Sequence, residues 1–365
     1  MKITDIRLGM LSVPLKTPFK TAMRTVTEIE DVVVMVETDT GNIGYGSAPA
    51  TALITGDTHG SIIEAISKLM APALLGRNIS DLNNLINTVQ NSIARNFSAK
   101  AAMEIAIYDL YGQLYDAPLY QLLGGGDNVI TTDITISVDH IDKMVEDTLS
   151  AIDEGFETLK IKVGKDPAVD IDRIKAIYAA VNDRALIRLD ANQGWSPKQT
   201  VSIMRALESS GVRLELLEQP VRGDDIEGMK YVTERIDTPV MADESAFGPK
   251  EAIELIRMRA ADIINIKLMK AGGISNAIKV ADIAGLYGVN CMIGCMLESS
   301  IGVAAAAHLA VAKSSVITKV DLDAPALGKY DPVTSGVIFN NSEIRVTELP
   351  GLGISKVDDL TMLDI

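Results

Sequence analysis

Residues 158–190 read TLKIKVGKDPAVDIDRIKAIYAAVNDRALIRLD: a short β-type run, an amphipathic stretch, then a second β-type run that ends on an acid. The texture continues in both directions. The runs TDITISV, TLKIKV, LIRLDAN, LELLEQP, VMADES, IINIKLM, CMIGCML and ITKVDLD follow one another with amphipathic segments between them. Marking one residue near the end of each (Thr135, Lys162, Asp190, Glu218, Asp243, Lys267, Cys295, Asp321) gives steps of 27, 28, 28, 25, 24, 28 and 26 residues. Each step suits one strand and one crossover helix. Eight such units at near-constant period predict an α/β fold, a TIM-type (β/α)8 barrel whose reactive groups gather where the strands end.

Before this repeat the pattern is different. Residues 1 to about 50 hold alternating runs such as DVVVMVETDT, followed by GNIGYG, which predict antiparallel strands joined by Gly and Asn turns. From about 58 to 123, HGSIIEAISKLM, ISDLNNLINTVQNSI and SAKAAMEIAIYDLYGQL place apolar residues three and four apart, the spacing of helices. Strands followed by helices predict an α+β unit over residues 1–125, with the glycine-rich LLGGGDN at its boundary and the barrel over 126–329. The alternating run at about 335–350 is expected to return to the N-terminal sheet.

The 365 residues are 47% hydrophobic and 23% charged, a globular composition, and no stretch approaches the ~18 apolar residues of a membrane span. MKITDIRLGML lacks the basic head, apolar centre and small-residue cleavage site of a secretory leader, so a cytoplasmic protein is expected. With 34 basic against 49 acidic residues the formal charge is −15, which repels nucleic acid phosphates and anionic membrane surfaces; neither is expected as a partner. Cys291 and Cys295 lie four residues apart, about 13 Å along a strand, beyond the ~7 Å reach of a disulfide, so both are expected as thiols. The chain has no GxxxxGK[ST], no GxGxxG after a strand and no HExxH, and His59, His140 and His308 are scattered.

Three acids end three successive runs: Asp190 in LDANQGW, Glu218 in LEQP and Asp243 in ADES. One such acid is explained by helix N-capping; three in consecutive units point to hard oxygen ligands for Mg²⁺ at one rim. Lys160 and Lys162 flank Ile161, so the period of two turns both into the barrel, and Lys267 in NIKLMKAGG is placed the same way. Buried lysine is costly unless paired or functional, and desolvation with nearby positive charge lowers its pKa toward that of a usable base. Lys162 belongs to the second run and Lys267 to the sixth, hence to opposite walls, with the acids between them. A carboxylate held by the metal would show its α-carbon to one lysine from each side. Removal of the proton on one face through an enediolate, and its return on the other, inverts a stereocentre.

Taken in order, TLKIKVGKD, LDANQGW, EQPV, MADES, INIKLMKAGGI and DLDAP resemble the enolase superfamily, muconate lactonizing enzyme subgroup, and within it the dipeptide epimerases of the L-Ala-D/L-Glu kind. The resemblance covers nearly the whole chain. It implies a modified (β/α)7β barrel under an α+β capping domain that residues 330–365 complete, and one Mg²⁺ per subunit on Asp190, Glu218 and Asp243. It also implies Lys162 and Lys267 as the acid/base pair, and Lys160 against the substrate carboxylate, lowering the pKa of Lys162. The expected activity is two-base epimerisation at the C-terminal residue of a dipeptide, with L-Ala-L-Glu going to L-Ala-D-Glu in cell-wall peptide recycling. A homo-oligomer is implied as well.

Substrate choice rests on narrower features. Asp321 and Asp323, two apart in VDLDAP, point the same way from the eighth run and match the Asp-x-Asp that holds a dipeptide's free ammonium group. Arg24 in KTPFKTAMRTVTE matches an arginine that meets the glutamate side chain in such enzymes, and Arg offers bidentate recognition of a carboxylate. Ile54 in ATALITGDTHG resembles part of a second specificity loop, and Thr135, Cys295 and Leu297 are expected to line the pocket. Ser47 in GYGSAP stands where many subgroup members carry Glu. Other reactions of the same scaffold are epimerisation of hydrophobic or cationic dipeptides, N-acylamino acid racemisation, o-succinylbenzoate synthesis and cycloisomerisation. A non-catalytic metal-dependent binding protein is the alternative outside enzymology.

Overall fold

The computed structural model of the chain describes residues 1–21 and 25–364. Ile3–Lys20 and Thr25–Thr38 form a long antiparallel pair, from Ile3 opposite Thr38 to Lys20 opposite Thr25, and Ile43–Pro49 extends the sheet. The helix Phe97–Leu114 lies directly on this last strand. Its approach is set by a missing side chain: a Cβ at Gly46 would stand 1.9 Å from the carbonyl oxygen of Ala102.

The C-terminal segment corrects one expectation. Thr361–Met362, rather than residues near 335–350, returns to the N-terminal sheet, opposite Gly9 and Met10. Val337–Asn340 and Glu343–Val346 instead make a hairpin that pairs with Val129–Thr131, just before the first barrel strand. Alternation foretold the strands, but a two-residue period carries no information about the partner.

All eight barrel runs are strands: Ile134–Ile136, Thr158–Lys162, Leu186–Asp190, Leu216–Glu218, Val240–Ala242, Ile263–Lys267, Asn290–Gly294 and Ile317–Asp321. They form one parallel sheet in sequence order. Parallel strands covered on both faces read as apolar runs, which is why the spacing was visible. Full-length helices follow the first seven strands, while the eighth is followed only by the four-residue Ala324–Leu327. The local signals are clear in Pro197–Ser209, where Ser196 and Gln199 form a reciprocal cap around an initial proline.

The first and eighth strands meet at a seam closed largely by side chains. Thr132 Oγ1 accepts from Leu322 N–H at 2.8 Å, and Asp323 Oδ2 accepts from Thr135 N–H at 2.7 Å. Arg188, buried inside, donates to Asp133 at 2.7 Å and to the Val320 carbonyl at 2.9 Å. Among the described residues no helix is long and apolar enough to cross a membrane, and Cys291 and Cys295 are both free.

Candidate active site

Strand register gathers the polar residues at one end of the barrel. Lys162 stands beside Asp190, and Asp190 beside Glu218. Asp243 follows the fifth strand, and Lys267 ends the sixth, level with Gly294 and, beyond it, Asp321. Alternation along Thr158–Lys162 turns both lysines inward, where Lys160 is 2% exposed and Lys162 6%.

Asp190, Glu218, Asp243 and Asp321 are each met by at least one ammonium group. Lys160 Nζ lies 3.2 Å from Asp190, 2.7 Å from Glu218 and 2.7 Å from Asp321. Lys162 Nζ is 2.5 Å from Asp190, and Lys267 Nζ 2.9 Å from Asp243. Lys270, which the sequence reading passed over, also donates to the Asp243 carboxylate and to the Asn265 carbonyl. Asn265 in turn donates to Glu218 at 2.8 Å.

The electrostatics follow from burial and from these pairings. Burial opposes ionisation of Asp243, but Lys267, Lys270 and Lys160 outweigh it and hold the carboxyl well below its usual range. Asp190 is lowered in the same way: burial opposes its charge, and Lys162 and Lys160 override it. Glu218 is pushed up to about 7 by burial and by Asp190, only partly offset by Lys160. For Lys267 and Lys160 the expected lowering does not occur. Burial disfavours their charge, yet Asp243 beside Lys267, and Asp321, Glu218 and Asp190 around Lys160, win and raise both.

Charge counting tests whether a cation fits. Asp190, Glu218, Asp243, Glu244, Asp321 and Asp323 are six buried carboxyls, against the four ammonium groups of Lys160, Lys162, Lys267 and Lys270. Full ionisation leaves an excess of negative charge, which suits a divalent cation. The mismatch is visible in Glu244, pushed up to about 8 by burial and by Asp243, with neither carboxylate oxygen hydrogen-bonded. Among the described residues no three acidic, His or Cys groups converge as a ready-made cage, because the lysines hold the carboxylates. The donor set nevertheless fits a hard divalent cation: Asp190, Glu218 and Asp243 offer carboxylate oxygens at three adjacent strand ends.

Above them opens a cavity of about 670 Å³, part of it open to solvent. Lys160, Lys162, Asp243, Lys267, Asp321 and Asp323 line it, as do Ile54, Thr135, Cys295 and Leu297. Asp190 and Glu218, both 0% exposed, are not among its lining residues. Arg24 lies outside the described residues. Sequence reasoning missed Phe19, Leu53, Asn192, Met296 and Leu327, which also line the cavity. Asn192 was findable in LDANQGW, where its N–H donates to Asp190 at 2.8 Å. Phe19, whose ring centroid is 5.9 Å from Lys162 Nζ, had no local signal.

The paired aspartates have unequal surroundings. Burial works against the charge of Asp321, but Lys160, Lys267 and Lys162 bring it down to about 2. Asp323 is pushed up to about 6 by burial and by Asp321, with Thr135 opposing. Ser47 is fully buried beside Asp31, whose carboxylate accepts from Ser299 N–H at 2.9 Å; this is a contact between the N-terminal sheet and the barrel.

A capped eight-stranded barrel with lysines on opposing strands and acids between them defines a class of enzymes that move protons next to a carboxylate. The chain belongs to the mandelate racemase / muconate lactonizing enzyme family: residues 4–124 match its N-terminal domain, and residues 143–360 match the enolase C-terminal domain-like family. It is 50% identical over 359 residues to the L-Ala-D/L-Glu epimerase of Clostridium acetobutylicum, covering 98% of this chain and 100% of that one. The substrate-liganded L-Ala-D/L-Glu epimerase of Bacillus subtilis superposes with a TM-score of 0.96 at 47% identity, over 98% of this chain and 99% of that one. The dipeptide epimerase of Enterococcus faecalis, complexed with Mg and L-Leu-L-Tyr, gives 0.94 at 42% identity, over 98% and 100%. These relatives are isomerases, and the capped barrel is the fold they share with this chain.

Proposed function

We propose that the protein is a Mg²⁺-dependent dipeptide epimerase that inverts the α-carbon of the C-terminal residue, with L-Ala-L-Glu as substrate. The observation that carries the reading is the entry of Lys162 and Lys267 into one cavity from the second and sixth of eight strands. Two amines approaching from opposite walls can take a proton from one face of a carbon and return one to the other. Lys162 and Lys267 exchange the roles of base and acid with the direction of reaction. Asp321 and Asp323 receive the substrate's ammonium group at the seam, and Lys160, at the centre of the floor, faces its carboxylate. Cys295, Leu297, Thr135 and Ile54 bound the side chains and exclude water. Arg24 is assigned to the glutamate carboxylate.

A divalent cation, one per subunit on Asp190, Glu218 and Asp243, would hold the substrate carboxylate, stabilise negative charge developing there and free Lys160 and Lys267 from the acids that keep them protonated. The free thiols accord with a cytoplasmic location, an Ala-Glu substrate would accord with turnover of cell-wall peptides, and the family resemblance accords with a homo-oligomer.

The test is incubation of L-Ala-L-Glu with Mg²⁺-loaded protein in deuterated water. Deuterium should enter at the Glu α-carbon while L-Ala-D-Glu accumulates, and a chelator should stop both. No exchange across a panel of dipeptides would refute the reading. A second reading is favoured by the apolar wall of Phe19, Leu53, Ile54, Met296, Leu297 and Leu327, which suits a hydrophobic C-terminal residue. A kcat/KM for L-Leu-L-Tyr above that for L-Ala-L-Glu would select it.

A further inference from the structure

The turn that follows Lys267 is gripped by the N-terminal domain. After the sixth strand the chain makes the short helix Leu268–Ala271, passes through Gly272 and Gly273 at φ +77° and +124°, and enters the helix Ile274–Leu286. Gly273 occupies the N-cap of that helix and has no side chain to satisfy its first N–H groups. Glu104, 0% exposed on the helix Phe97–Leu114, supplies the missing acceptor. It accepts from Ser275 N–H at 2.9 Å and Ser275 Oγ at 2.8 Å. Gln90, on the helix Leu82–Asn91, donates to Glu104 at 2.6 Å and to the Gly272 carbonyl at 2.6 Å, while Asn276 donates to Gln90 and to the Ala271 carbonyl. The fit is tight: a Cβ on Gly273 would stand 2.4 Å from the Glu104 carboxylate.

The gripped segment is four residues long at its core and carries Lys267 at one end and Lys270 within it, both bonded to Asp243. The turn after Lys162 is braced from within the barrel, where Asp170 accepts from Gly164 N–H at 2.9 Å and from Trp195 Nε1 at 3.1 Å, and among the described residues neither N-terminal helix donates to it. We propose that Glu104 and Gln90 are positioning residues for one of the two bases, Lys267, and so set the rate of proton transfer on one face of the substrate only. The inference rests on the two-lysine reading above. A displacement of about 1 Å at a reacting group costs on the order of 10²-fold in rate, so a clamp one turn away is enough to matter.

The two epimers of the dipeptide make this testable, because each presents its α-hydrogen to a different lysine. In deuterated water, a proton passing from Cα to a lysine Nζ is replaced by solvent deuterium, which returns to the same carbon. We expect Glu104→Ala to lower epimerisation roughly tenfold or more, together with exchange from the epimer that faces Lys267. Exchange from the epimer that faces Lys162 should stay within about twofold of native, so that exchange outpaces inversion. Glu104→Gln, which keeps an acceptor for Ser275, should restore most of the lost rate. Gln90→Leu, which removes the bond to Gly272 from a half-buried position, should show the same one-sided defect and serves if Glu104→Ala does not fold. Equal loss of exchange from both epimers, or no loss from either, would overturn the proposal. Native protein that exchanges neither epimer would instead refute the epimerase reading.

Discussion

The walls that carry Lys162 and Lys267 have the same strand geometry and unlike roofs. Above Lys162 sits Phe19, at the end of the long Ile3–Lys20 strand, and Lys20 fastens that strand to the first barrel loop through Ser137 and Val138. The turn after Lys267 is gripped instead by two helices of the N-terminal domain through part-buried hydrogen bonds. One amine has an aromatic face beside it, and the other is followed by a turn held in a polar bracket. The proposed two-base reaction is symmetrical while its supports are not, so the two half-reactions are expected to respond separately to perturbation.

The strongest break of the comparison is removal of each base. Lys162→Ala and Lys267→Ala should each lower epimerisation by on the order of 10³-fold, within the 10²–10⁴ range of general acid–base catalysis. Each should retain deuterium exchange from one epimer and lose it from the other, with opposite preference, read by NMR of the α-hydrogen. Asp321→Asn tests the seam between the walls. Loss of a charge-assisted bond to the substrate ammonium should raise KM by roughly 10- to 100-fold and leave both exchange reactions in proportion.

Phe19→Ala sharpens the contrast on the hairpin side. Removing the ring exposes Lys162, and exchange from the epimer facing it should fall about three- to tenfold, on the scale of about 1 kcal/mol for a cation over an aromatic face. The smallest effect is on pH. Asp323 is raised to about 6, so it is charged above that pH and neutral below it. KM for a dipeptide should rise as pH falls through 6, whereas an N-acylated substrate without an ammonium group should show no such rise.

Much of this was readable before any coordinates. The eight runs declared themselves because a parallel strand buried on both faces must be apolar, so an Asp190 or Lys162 at its end stands out. The metal-ligand candidates and both lysines fell to the same logic, and their register neighbours followed from strand order. Glu104 lies within the helical stretch SAKAAMEIAIYDLYGQL, whose pattern carries no sign of its role. Its partner Ser275 is 171 residues away, and a contact of that separation leaves no periodicity in the chain. The destination of residues 335–350 was lost for a related reason, since alternation specifies a pleat and not a neighbour. Lys160 and Lys267 were read from burial and positive neighbours alone, whereas the surrounding carboxylates raise both.

Asp323 accepts the N–H of Thr135 where the last stave of the barrel meets the first, while its carboxylate also faces the cavity. A residue proposed to grip the ligand is therefore also a hoop fastening. Natural drift in ligand preference should run through Asp321 or the apolar wall before it touches Asp323, because a change there loosens the staves and the grip together.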